Sequence, residues 1–335
     1  MAKHPIAIAL LLAAPAFTCA APAITHCAAQ AVAVGWTPVK SIDFSSRHNV
    51  MIRSEDGTLT PMDVPYYRSK LIAPGTWQIE SDGDYSYLLE GDKEALAIDT
   101  GYGAGNIREY LQTLTRKPVR FVANTHYHFD HTANDSYFDC AYMSAGTAEK
   151  ATIPYPSFAG MNFPRNYPKV IVEDGYKIQL GNREIEVLLI PNHTAGGTAY
   201  LDRRARILFT GDEFMENIRL NVSVAQFAQN MRKLAAHRSE YDKLAGGPGM
   251  FDASEVDKSL AVAEYVLAGH EGERTTQQPR PDAMPAPADS AGQVIYQRRR
   301  VRAPDRPKDI PAPDENQRRM TYEGRSLTYD VRHIQ

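Results

Sequence analysis

The chain has 335 residues, 37 basic and 40 acidic side chains, and a formal net charge of −3. That length accommodates one catalytic domain with extensions. The near balance of charge excludes the global basicity of a nucleic-acid-binding protein, so no nucleic-acid partner is expected.

Lys3 and His4 precede an almost uninterrupted apolar run over 6–17, followed by small residues at Thr18, Ala20 and Ala21. This pattern predicts a secretory signal peptide over 1–20, too short for a stable membrane span. A periplasmic or secreted protein with no stable membrane span after cleavage is therefore expected. Phe17-Thr18 before Cys19 and Thr25-His26 before Cys27 do not make a lipobox, which argues against a lipid anchor. Loss of Cys19 leaves Cys27 and Cys140, too few thiols for a disulfide framework. Cys140 reads as a small buried residue rather than a ligand.

Residues 21–65 show few strong periods and read as an irregular arm before a catalytic domain over 66–270. Strands are expected at 77–80, 85–89 and 95–98, separated by the turns Ser81-Asp82-Gly83-Asp84 and Gly91-Asp92-Lys93. A helix over 106–114 follows, with Ile107, Tyr110, Leu111 and Leu114 on one face and Asn106 as its cap. The next strand, 119–123, leads into Thr125-His126-Tyr127-His128-Phe129-Asp130-His131.

This run packs three of the chain's 10 histidines and one aspartate into six residues. Alternating side chains put the two imidazoles of an extended HxH on one side of the backbone. The cluster of nitrogen and oxygen donors suits a borderline metal such as zinc.

Residues 151–170 carry four prolines and four aromatics and do not make a helix. They read either as a packed connecting loop or as a substrate-facing lip. Strands are expected at 185–190, 198–201 and 206–209. His193 follows the first within Pro191-Asn192-His193-Thr194-Ala195-Gly196-Gly197-Thr198, and Asp212 follows the last within Thr210-Gly211-Asp212. Asp99 likewise ends the strand over 95–98. Polar residues gathered at strand ends can line one edge of a sheet. Ser223-x-x-Gln226 opens a helix with Phe227, Met231 and Leu234 inward. Asp252-x-x-Glu255 opens a last one, with Val256, Leu260, Ala263 and Leu267 on one face. Residues 271–335 form a proline- and charge-rich tail. The stretch over 275–313 reads as extended and poorly packed, and Arg298-Arg299-Arg300 as a solvated charge run. A terminal hairpin around Glu323-Gly324 is expected to add to a sheet edge or to another subunit, which would make the tail a route to a homo-oligomer.

Asp99-Thr100-Gly101, His126-x-His128-x-Asp130-His131, His193 with Thr-x-Gly-Gly, and Gly211-Asp212 occur together in the order found in the metallo-β-lactamase superfamily. The resemblance covers roughly residues 72–269. It implies an α+β fold, the four-layer αββα sandwich with two mixed sheets back to back. Composition and periodicity alone allow α/β or α+β.

The resemblance also implies a ligand set. His126, His128 and His193 would form a first metal site, Asp130 and His131 a second, and Asp212 would bridge them. The implied cofactor is one or two Zn2+, with Mn2+ or Fe2+ as alternatives. Three neutral imidazoles leave a strongly Lewis-acidic metal with an open position for water. Asp130 would orient the nucleophile or carry a proton to the leaving group, which makes it the catalytic candidate. Asp99 reads as holding a loop.

One departure from the family concerns a further histidine, which many members carry in a Gly-His-Gly loop. Here that loop reads Ala245-Gly246-Gly247-Pro248-Gly249-Met250. The nearest substitute, His270, follows a helix that carries it away, and is left out of the ligand set. Asp212 stands where the best-known zinc β-lactamases have Cys, so β-lactam hydrolysis is disfavoured. The expected activity is hydrolysis of a small-molecule lactone, ester, thioester or amide outside the cytoplasm. The alternatives are a mononuclear iron oxygenase resembling persulfide dioxygenases, or a non-catalytic metal-dependent binding protein.

Overall fold

The computed structural model describes residues 24–45, 50–53, 59–81, 84–155, 158, 160–215, 217–247, 249–275, 294–297 and 315–335. The expected signal peptide, Pro248, the arginine run and most of the stretch over 275–313 lie outside them.

In chain order come α1 (Ile24–Ala33), β1 (Val50–Arg53) and β2 (Leu59–Pro61). Next, β3 (Arg68–Ala73), β4 (Thr76–Ser81), β5 (Asp84–Glu90) and β6 (Ala95–Ile98) form an antiparallel meander. Helix α2 (Ile107–Leu114) crosses over to β7 (Val119–Ala123), which pairs parallel with β6. Then α3 (Phe129–Thr132), β8 (Cys140–Met143), α4 (Ala145–Lys150) and β9 (Lys169–Ile171) complete a seven-stranded mixed sheet, ordered β3 to β9.

A second sheet begins with β10 (Lys177–Gln179), β11 (Glu184–Leu189), β12 (Thr198–Asp202) and β13 (Ile207–Phe209). Strand β14 (Asn217–Arg219) and helix α5 (Val224–Ala236) intervene before β15 (Lys243–Gly246) and β16 (Gly249–Asp252). The order is β10-β11-β12-β13-β15-β16, with β13 and β15 parallel. After α6 (Ser254–Leu267) come β17 (Glu273–Arg274), β18 (Val294–Gln297), β19 (Gln317–Tyr322) and β20 (Arg325–Asp330). Two small sheets remain, β18-β1-β2 and β14-β20-β19-β17.

Strand alternation sets the layers. Tyr87, Leu89, Leu96 and Ile98 face Ile185, Val187, Tyr200, Ile207 and Phe209, and this shared core lies between the two large sheets. On the first sheet's outer face, Leu88, Ala97 and Val122 pack with Ile107 and Leu111 of α2. On the second's, Leu188, Leu201 and Leu208 pack with Phe227, Met231 and Leu234 of α5 and with Val256 and Val262 of α6. Buried on both faces, the central strands read as apolar runs. The result is the four-layer αββα sandwich expected from the motifs.

Local signals act as read. The Asn106 side chain accepts from Glu109 N at 3.2 Å, and Ser223 Oγ accepts from Gln226 N at 3.1 Å. Arg183 is fully buried and joins the sheets away from the metal motif. It donates to Asp202 in β12 and to the Gly75 and Glu90 carbonyls and Thr76 Oγ1 beside β4 and β5. Among the described residues no helix is long and apolar enough to cross a membrane.

Three expectations change. The arm over 21–65 is not irregular throughout: it holds α1, β1 and β2, and Ile42, Phe44 and Met62 join the core under α2. Cys140 is disulfide-bonded to Cys27, with Cα atoms 5.6 Å apart, so α1 is tied to the start of β8. In α6 the buried face is Val256, Ser259, Val262, Ala263 and Val266, while Leu260 and Leu267 are only partly buried. The helix serves both α5 and the terminal hairpin, which rotates the buried stripe from the predicted one. That hairpin turns at Glu323-Gly324 as expected and adds to β14 and β17 of its own chain.

Candidate metal centre

The strands deliver the motif residues to one edge of the sandwich. Asp99 follows β6, Thr125 and His126 follow β7, and Asp212 follows β13. His193 sits on the turn between β11 and β12. Backbone bonds pin these segments together: Thr198 N donates to Thr125 O at 2.8 Å, and Thr210 N to Ala245 O at 2.7 Å.

His126 Nε2 lies 3.0 Å from His128 Nδ1, which lies 3.1 Å from His193 Nε2. Three ring nitrogens thus converge on one point. His126 Nδ1 sits 3.1 Å from Thr125 Oγ1, which donates to Asp99 Oδ2 at 2.7 Å. That chain leaves the Nε2 lone pair of His126 facing the centre. The backbone of His193 is clamped on both sides: its N donates to Glu213 Oε1 at 3.1 Å, and its carbonyl accepts from Asn221 Nδ2.

The second group lies beside the first. His131 Nε2 is 3.4 Å from Asp212 Oδ1, and Asp212 Oδ2 is 3.9 Å from His193 Nε2, so Asp212 stands between the two groups. Donor atoms of His126, His131 and Asp212 lie within 4.8 Å of one another, and so do those of Asp84, Asp130 and His131. The other oxygen contact of Asp130 is with Tyr155, whose hydroxyl donates to Oδ1 at 2.8 Å. All six residues predicted as ligands are therefore brought together. His270 is in none of these groups and stacks its ring on Tyr265 at 3.7 Å.

The donor set fits divalent cations. His131 is 1% exposed, and its Nε2 makes no hydrogen bond, an expensive state for a buried polar atom unless it is a ligand. Burial and neighbouring imidazoles hold His126 well below the ordinary imidazole range and bring His128 down to about 4. Burial also lowers His193. Neutral imidazoles are the form that ligates. Burial opposes charge on His131, but Asp212, Asp99 and Asp130 outweigh it and hold this imidazole well above its usual range. Burial likewise opposes ionisation of Asp212, yet the imidazoles of His131, His193 and His128 bring it down to about 2. The surplus of negative charge around His131 is what a cation neutralises.

Two glycines make room. Gly211 has φ 53°, and a Cβ there would lie 2.3 Å from Thr125 Oγ1. A Cβ on Gly247 would lie 2.4 Å from Asp212 Oδ1 and 3.0 Å from His131 Cε1.

Sequence reading missed Asp84, Tyr155, Glu213 and Asn221 as members of this centre. In the sequence Asp84 reads as part of a turn, and Glu213 directly follows the candidate ligand Asp212. Burial pushes Glu213 up to about 8, so a neutral carboxyl braces the His193 turn. The proline–aromatic segment is a packed connecting loop whose first tyrosine also meets the centre. Phe158, Phe163 and Tyr167 pack into the core while Tyr155 reaches Asp130.

The chain is 28% identical over 158 residues to the acyl-coenzyme A thioesterase MBLAC2 of Homo sapiens, covering 38% of this chain and 56% of that one. It is 29% identical over 131 residues to the probable polyketide biosynthesis zinc-dependent hydrolase PksB of Bacillus subtilis, covering 38% and 54%. It is 26% identical over 136 residues to a hydroxyacylglutathione hydrolase of Bdellovibrio bacteriovorus, covering 39% and 49%. The chain spans about half the length of the curated relatives it matches. The family model described as the metallo-beta-lactamase superfamily matches residues 82–270, more than half of the chain and the whole of the ligand constellation. The protein belongs to the metallo-β-lactamase superfamily.

Proposed function

We propose that the protein is an exported metal-dependent hydrolase acting on a small acyl compound, with a thioester as the first substrate class to test and a lactone, ester or amide as neighbours. The observation that carries this reading is the convergence of two donor groups joined by Asp212, one of three neutral imidazoles and one of carboxylates with His131. Two relatives named as a thioesterase and a hydroxyacylglutathione hydrolase support the thioester class.

His126, His128 and His193 would hold one cation, and Asp130, His131 and Asp212 a second, with zinc the first choice and Mn2+ or Fe2+ the alternatives. When bound, these ions supply Lewis acidity, which makes water nucleophilic near neutral pH and polarises a carbonyl. The chain's own groups do the rest. Tyr155 fixes the Asp130 carboxylate, which takes a proton from the attacking water and returns it to the leaving group. Glu213 and Asn221 keep the His193 turn in place. Phe129 packs edge-on against Tyr155 with ring centroids 5.6 Å apart and holds the tyrosine ring in place.

Export is supported by the apolar N-terminal run and by the Cys27–Cys140 disulfide, a bond that persists in oxidising compartments. The test is metal analysis of protein purified without added metal, with a panel of thioester, lactone, ester and phosphodiester substrates before and after chelation. Turnover that is lost on chelation, returns with zinc or manganese and ignores oxygen removal is the expected result. Oxygen consumption with a thiol or persulfide, dependent on ferrous iron alone, would overturn the reading.

A further inference from the structure

Asp84 opens β5, directly across the hairpin from Ser81. In the register of β5 with β6, Tyr87 faces Ile98, so Asp84 lies past the end of β6, at the metal edge. Its carboxylate comes within 4.8 Å of the donor atoms of both Asp130 and His131. The independent sign of a ligand site is His131 Nε2, which is buried, makes no hydrogen bond among the described residues and lies 3.4 Å from Asp212 Oδ1. The loop over 245–250 contributes no imidazole, because it contains no histidine.

We propose that Asp84 is a ligand of the second cation site, making its donors Asp84, Asp130, His131 and Asp212. This rests on the two-cation reading of the centre given above. Three carboxylates and one imidazole form a harder donor set than three imidazoles. The two sites therefore differ in preference: the His126–His128–His193 site discriminates strongly for zinc, and the Asp84 site narrows the gap between zinc and manganese.

The test uses the full chain, stripped by chelation and titrated calorimetrically with Zn2+ and separately with Mn2+. Elemental analysis after desalting gives the stoichiometry, and circular dichroism checks the fold. The unmodified protein is expected to bind two equivalents. Asp84→Asn and Asp84→Ala should keep one tight equivalent and weaken the second by at least about 10-fold. Asp84→His should restore the second equivalent and raise its zinc-to-manganese affinity ratio. Asp84→Asn and Asp84→Ala proteins that bind the second equivalent as tightly as the unmodified chain would overturn the assignment. So would an unmodified chain that saturates at one equivalent of either ion, which would leave the three-imidazole site and the hydrolase reading standing. Binding of no metal at all would overturn both.

Discussion

Asp99 Oδ2 accepts a hydrogen bond from His131 Nδ1 at 2.9 Å and, through Thr125 Oγ1, also governs His126. One buried carboxylate thus sets the ring orientation of an imidazole in each donor group. Its other oxygen accepts from Thr125 N at 2.8 Å, which holds the start of the motif. Asp99→Asn keeps the volume but replaces an acceptor with a donor. Affinity for metal should fall by about 10–100-fold, as for other groups that orient ligands, with more loss at the His131 site. Calorimetric titration of the variant checks this, and unchanged affinity at both sites would contradict it.

His126 belongs to both donor groups by distance, so its loss should be severe. His126→Ala is expected to remove at least one equivalent of metal and to lower hydrolysis by more than about 100-fold, beyond the effect of an orienting residue. Full metal content with unchanged turnover would refute the three-imidazole site.

Gly247 tests close packing at the bridging carboxylate. In Gly247→Ala the added methyl displaces Asp212 Oδ1, which a Cβ would approach to 2.4 Å. The side chain can move, so the fold should hold. Divalent cations should bind the centre at least about 10-fold more weakly, by analogy with other losses of ligand orientation. A melting temperature unchanged within error, alongside the weakened binding, is the expected pair of readings.

The Cys27–Cys140 bond closes a separation of 113 residues. In the chain-entropy account a loop of that size is worth about 4–5 kcal/mol. Reduction, or Cys27→Ala with Cys140→Ala, should therefore lower the melting temperature by roughly 10 °C. Scanning fluorimetry with and without reductant measures it, and equal melting points would show that the cross-link adds no stability.

Asp135 is buried, and burial pushes its carboxyl up to about 7 despite bonds from Asn124, Tyr167 and Thr100. A protonated Oδ2 can donate to Tyr167 OH, which in turn can donate to Thr152 Oγ1 at 2.8 Å, so the neutral acid satisfies every partner. Between the ordinary carboxyl value and about 7 the folded state holds one more proton than the unfolded state. Stability then falls as pH rises through that window, by on the order of 4 kcal/mol in total. Asp135→Asn places a permanent donor at the same point and should flatten this part of the profile. Denaturant melts from pH 4 to 8 would show it, and an equal slope in both proteins would sink the idea.

The local content of this protein is written plainly in its sequence. The candidate ligand run over 126–131 is contiguous, and its chemistry depends on spacing along one strand end. The capped helices α2 and α5 and the strands β4, β5, β6, β7, β11, β12 and β13 follow from period and end signals within short windows, whereas β3, β8, β9, β10, β15 and β16 are not read from the sequence. The αββα order follows from the motif set, which the alternating apolar faces of β5, β6, β11 and β12 then satisfy. What only the tertiary structure decided are meetings between distant segments. Cys27 finds Cys140 because α1 lies against β8. Asp84 reaches Asp130 because β5 begins beyond the end of β6. Tyr155 caps Asp130 because Phe158, Phe163 and Tyr167 anchor its segment in the core. Glu213 braces His193 because β13 and β11 end at the same edge on either side of β12. None of these contacts leaves a local period or a local spacing, since each is set by how two separately specified elements pack.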